Sequence, residues 1–124
     1  MIQIVILLYL LIFGSGFWLS RRGKPFNVVL LTVHKLVSLA AVVLLAFVVY
    51  RVSWEATLRA TDWIAVAVTG LFFLGTIATG GLLSADRPKS ARARVAVLWA
   101  HRITPFLTVL STAATLYLLL SPKV

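Results

Sequence analysis

The stretch Val28 to Tyr50, VVLLTVHKLVSLAAVVLLAFVVY, is apolar enough to cross a bilayer yet carries a histidine, His34, followed at once by Lys35. A hydrocarbon crossing takes about 20 predominantly apolar residues in a helix, because the segment must satisfy its own backbone hydrogen bonds. Three more runs reach that length: Ile2 to Leu19, Trp63 to Leu83 and Val95 to Leu120. The predicted fold is all-α, an integral-membrane four-helix up-down bundle, since short loops force neighbouring helices to run antiparallel. Residues 1–124 are read as one transmembrane domain with little left over for a soluble one.

Composition supports this assignment. Hydrophobic residues make up 61% of the chain, only three residues are acidic, and the mean hydropathy is +1.04, outside the range of ordinary soluble domains. The absence of cysteine rules out disulfides, thiolate catalysis, cysteine metal sites and covalent c-type haem attachment. The first run has no basic residue before its apolar stretch and is followed by Arg21, Arg22 and Lys24, so it reads as a retained anchor, not a cleaved signal.

The net charge of +9 is unevenly placed. Arg21, Arg22, Lys24, Lys35, Arg87, Lys89, Arg92, Arg94 and Arg102 gather in the first and third loops and the adjoining helix mouths, opposed only by Asp86. The other face has Arg51, Arg59 and Lys123 against Glu55 and Asp62. The positive-inside rule then places the first and third loops in the cytoplasm and both termini outside, as expected of a bacterial or archaeal cytoplasmic membrane protein. Charges so arranged set topology and meet anionic lipid; they do not point to nucleic acid.

The first loop centres on Arg21 to Asn27, with Gly23 and Pro25 as breakers. The second spans Arg51 to Asp62, with Thr61 or Asp62 able to cap the next helix, and the third runs from Ala85 to about Arg94. The halves resemble each other weakly. Gly16-Phe17-Trp18-Leu19-Ser20 leads through basic residues and Pro25 to His34-Lys35; Gly80-Gly81-Leu82-Leu83-Ser84 leads through Arg87-Pro88-Lys89 to His101-Arg102. A true duplication would imply a two-fold axis along the membrane normal.

His34 and His101 are the chain's two histidines. With helices starting near Val28 and Val95, each lies six residues in, about 9 Å at 1.5 Å per residue, and the two would share a depth on diagonal helices. An intramembrane histidine is costly and normally faces the interior for a reason. One reason is interhelical hydrogen bonding; the other is ligation, because neutral imidazole is a good iron ligand.

A flat porphyrin would need small residues along its path. Ser38 and Ala41 fall on the His34 face, Gly16 lies at a matching level of the first helix, and Gly75, Thr79, Gly80 and Gly81 crowd one end of the third. Gly14 and Gly16 point in nearly opposite directions, so only one can face such a group; close helix packing is the alternative use of all these small residues. Lys35 and Arg102 stand at the level for propionates or, equally, for lipid phosphate. The last helix carries a polar stripe of His101, Thr104, Thr108, Ser111, Thr112 and Thr115, with Pro105 freeing the His101 carbonyl. Back-bonding of the hydroxyls to the helix explains the stripe, as does a polar cavity for quinone or protons.

These residues resemble the four-helix haem-binding core of the cytochrome b family. There, histidines on the second and fourth helices ligate b haems and glycines on the first and third make room for them. His34 and His101 match the ligands; Gly16 and Gly80 or Gly81 match the glycines. The family stacks two haems with a second histidine further along each helix, whereas the corresponding places here, near Val48 and Thr115, have none. The resemblance implies one bis-histidine haem b and single-electron transfer with a quinone or redox partner protein, in an electron-transfer protein or a subunit of a membrane oxidoreductase, with oligomerisation left open. Two rival readings remain: a haem-free structural or assembly subunit, and a haem carrier or sensor.

Overall fold

The computed structural model describes residues 1–122 and holds four helices: α1 (Ile2–Arg22), α2 (Val28–Glu55), α3 (Ala60–Ser84) and α4 (Ala91–Leu120). All four are long and apolar enough to cross a membrane. Lys123, counted above among the charges of the less basic face, lies outside the described residues. Large apolar side chains remain exposed on every helix, among them Leu10 on α1, Leu39 on α2, Leu71 on α3 and Leu110 on α4, as expected where lipid takes the place of water.

The helices outrun the apolar segments that revealed them. α2 continues beyond Tyr50 to Glu55 and α3 begins at Ala60 instead of Trp63, so the second loop shrinks to residues 56–59, and α4 begins at Ala91 instead of Val95. Hydropathy marks the hydrocarbon edge, while helical hydrogen bonding carries on through residues such as Arg51, Glu55, Arg92 and Arg94, whose long side chains favour a helix. His101 therefore lies about one turn deeper along its helix than the expected six residues. The cap of α3 also differs from expectation. Arg59 is the N-cap and Asp62 acts from the N3 position, accepting the Arg59 backbone N–H at 2.8 Å. At α2, Asn27 Oδ1 accepts the Leu30 N–H at 3.0 Å, and α1 ends at Gly23, whose φ of 66° suits glycine.

The chain divides into two compact units, Met1–Arg51 and Val52–Val124. In the first, α1 and α2 form an antiparallel hairpin in which Ile12, Leu19, Ala41 and Val48 are buried. In the second, α3 and α4 run antiparallel along a seam that is largely threonine. Thr69, Thr108, Thr112 and Thr115 are all buried. Thr69 and Thr115 share a hydrogen bond of 2.9 Å, and Thr115 donates across to the Ala65 carbonyl at 3.1 Å. Small hydroxyl residues of this kind let membrane helices approach closely and bond where lipid offers no partner.

Two histidine seats

Each histidine is held inside its own hairpin, and the two holdings match. In the first, the imidazole of His34 lies against α1 at Ser15-Gly16; in the second, that of His101 lies against α3 at Thr79-Gly80. Ser15 Oγ and His34 Nδ1 are 2.9 Å apart, Thr79 Oγ1 and His101 Nδ1 3.0 Å. A Cβ built on Gly16 would stand 3.1 Å from His34 Cε1, and one built on Gly80 only 2.8 Å from His101 Cε1. The missing side chain thus gives each ring a place to rest on the facing helix.

The partners bear on where the ring proton sits. Ser15 Oγ lies 2.6 Å from the Leu11 carbonyl, and with its one proton donated there it accepts from His34 Nδ1. Thr79 Oγ1 likewise donates to the Gly75 carbonyl at 2.8 Å and accepts from His101 Nδ1. The Thr76 carbonyl, which can only accept, also lies 3.1 Å from His101 Nδ1. In the neutral ring the lone pair then falls on Nε2, the nitrogen that binds a metal when Nδ1–H is engaged by an outer partner.

The remaining candidate residues sort unevenly around these seats. Ser38 Oγ donates to the His34 carbonyl at 2.8 Å, and Ala41 is buried two turns beyond His34 on the same face. Gly81 is exposed, and a Cβ there would meet nothing within 4 Å, so Gly80 is the glycine of the second seat. Gly14 likewise has open space where Gly16 has imidazole. Lys35 and Arg102 are exposed, the latter with its guanidinium 5.6 Å from the Trp99 ring centroid.

Much of the polar stripe on α4 is used within helices and along the seam. Thr108 donates to the Thr104 carbonyl at 2.8 Å and Ser111 to the Thr108 carbonyl at 3.1 Å. On the facing helix Thr76 donates to the Phe72 carbonyl at 2.8 Å, leaving a looser 3.3 Å approach to Thr108. Back-bonding of this kind accounts for these hydroxyls within their own helices. Thr104 Oγ1, one turn after His101, is the exception: it is buried with no hydrogen-bond partner among the described residues.

Sequence reading passed over Ser15 and treated Thr79 only as a small residue. The signal was available, because pairing Gly16 with Gly80 in the half-repeat also pairs Ser15 with Thr79. Among the described residues no group of three or more His, Cys, Asp or Glu side chains could hold a metal ion, so two imidazoles are the donors to be explained. Compared with models of known protein families, with curated proteins and with solved structures, the chain matches none. It is a small all-α protein of four candidate membrane spans, with one histidine seat built into each hairpin.

Proposed function

We propose that the protein is a small b-type membrane cytochrome in which His34 and His101, each through Nε2, would hold haem b. The observation that carries this reading is the seat built twice, with a hydroxyl engaging Nδ1 and a glycine facing Cε1. Metal-bound histidines characteristically donate their other ring N–H to an outer partner, which sets tautomer and ring orientation. The donor set fits haem for a second reason: two neutral nitrogen ligands without cysteine suit a non-covalently held b haem. The orphaned Thr104 hydroxyl beside His101 adds a buried polar group that a ligand could satisfy.

Haem would supply one-electron redox chemistry, and two histidine ligands would favour electron transfer over oxygen activation. Ser15 and Thr79 would orient the two imidazoles through Nδ1. Lys35 and Arg102 are the cations assigned to the propionates, and a membrane quinone or a separate redox protein is the assigned electron partner.

A second reading is favoured by the same hydrogen bonds. His34 with Ser15 and His101 with Thr79 are complete interhelical contacts that would also lock the hairpins of a haem-free structural subunit. Spectroscopy of the detergent-purified protein separates the two. The cytochrome reading expects one haem per chain, low-spin and six-coordinate, with the signature lost in His34→Ala and in His101→Ala. Protein that stays colourless when expressed with ample haem supports the structural reading.

A further inference from the structure

Opposite the histidine seat, α1 presents a second face. Ile12, Ser15, Gly16 and Leu19 recur at helical spacing and face inward: Ile12 and Leu19 are buried, while Ser15 and Gly16 meet His34. Shifted by two residues, hence by about 200° at roughly 100° per residue, Gly14, Phe17, Trp18, Arg21 and Arg22 line an open groove of about 310 Å³. A Cβ at Gly14 would meet nothing within 4 Å, so this glycine is a notch in an outer surface and has no role in packing the hairpin. Phe17 and Trp18 are exposed on either side of it. One turn further, the Arg21 guanidinium lies 5.6 Å from the Phe17 ring centroid and that of Arg22 lies 5.4 Å from Trp18. Each aromatic ring thus holds one cation at the end of α1.

We propose that this groove binds one acidic phospholipid of the surrounding bilayer, its phosphate between Arg21 and Arg22 and an acyl chain lying in the Gly14 notch between Phe17 and Trp18. The dimensions agree with that occupant. Gly14 lies about 10–12 Å from the arginines along the helix, within the roughly 15 Å of hydrocarbon in one leaflet. Arg21 and Arg22 are the last residues of α1, where a headgroup would sit. Charge and shape are paired as such a lipid needs: guanidinium matches phosphate in planar, bidentate geometry, and a glycine notch walled by aromatic rings takes a hydrocarbon chain. The proposal stands independently of the histidine seats.

The test is the selectivity of spin-labelled phosphatidylglycerol over spin-labelled phosphatidylcholine for the full-length protein in phosphatidylcholine vesicles. The wild-type protein is expected to enrich phosphatidylglycerol in its motionally restricted lipid fraction. Arg21→Gln with Arg22→Gln should reduce the enrichment by about fivefold for each cation removed. Gly14→Leu should reduce it with no change of charge, and because nothing packs at Gly14 the hairpin should fold as before. Arg92→Gln with Arg94→Gln removes the same charge from the other basic region and should leave most of the enrichment. Equal loss in that control would reduce the effect to general surface charge and overturn the proposal. So would a Gly14→Leu protein that keeps full selectivity, or one whose change is a different oligomeric state, which would make a second copy of the chain the occupant.

Discussion

Each histidine is held by two relations, a hydroxyl at Nδ1 and a glycine at Cε1, and each of the four can be removed separately. Gly80→Ala would place a Cβ 2.8 Å from His101 Cε1, closer than real contacts allow, whereas Gly16→Ala would place one 3.1 Å from His34. Because Nδ1 is tied to the facing helix, neither ring can simply swing away. Both substitutions should therefore lower haem occupancy, Gly80→Ala more than Gly16→Ala, without loss of membrane insertion. Haem-to-protein ratios measure this, and the reverse order would break the link between glycine and ring.

The hydroxyls act differently. An imidazole whose N–H is engaged is a more basic ligand and stabilises ferric iron. Ser15→Ala should accordingly raise the midpoint potential and weaken haem binding by on the order of tenfold. Thr79→Val should shift both in the same direction by less, since the Thr76 carbonyl stays as an acceptor. Ser15→Thr, which keeps the hydroxyl, should restore the wild-type potential; a potential unchanged in Ser15→Ala would mean that the hydroxyl only packs.

At the scale of the element, the helices were legible because lipid demands long apolar runs, while their ends were not. The charged turns from Arg51 to Glu55 and from Ala91 to Arg94 lie outside any hydropathy window yet continue the helices. The same limit hid the seats. A serine or threonine before a glycine looks like ordinary small-residue packing until the facing helix shows what rests on it. The polar stripe of α4 was visible in sequence, but its use was not: Thr108 and Ser111 bond their own helix, and Thr115 bonds α3.

That last pairing can be tested alone. Thr115→Val removes a buried hydroxyl with two partners, Thr69 and the Ala65 carbonyl. It should destabilise the α3–α4 hairpin by about 1 kcal/mol, the range found for interhelical hydrogen bonds in membranes. Steric-trapping or denaturant unfolding in micelles would show it. No change in stability would mean that packing volume, which valine preserves, holds the seam without the hydrogen bonds.

For the whole molecule, four spans and a charge imbalance make sidedness the next question. By the positive-inside rule, nine cations against Asp86 around the first and third loops predict a cytoplasmic location for those loops. Cysteine replacing Ser90, the N-cap of α4, should react with impermeant reagent only in inverted vesicles, and cysteine replacing Ser53 only in right-side-out ones. Labelling of the Ser90 variant from outside would reverse the assignment.

The central claim, that two matched histidine seats serve one haem, is tested most directly by the oxidised and reduced absorption spectra of the purified protein beside His34→Ala and His101→Ala. The expected result is a low-spin, six-coordinate b haem at one per chain, with six-coordination lost in either single variant. Wild-type spectra in both variants, or haem-free protein from haem-replete cells, would contradict it.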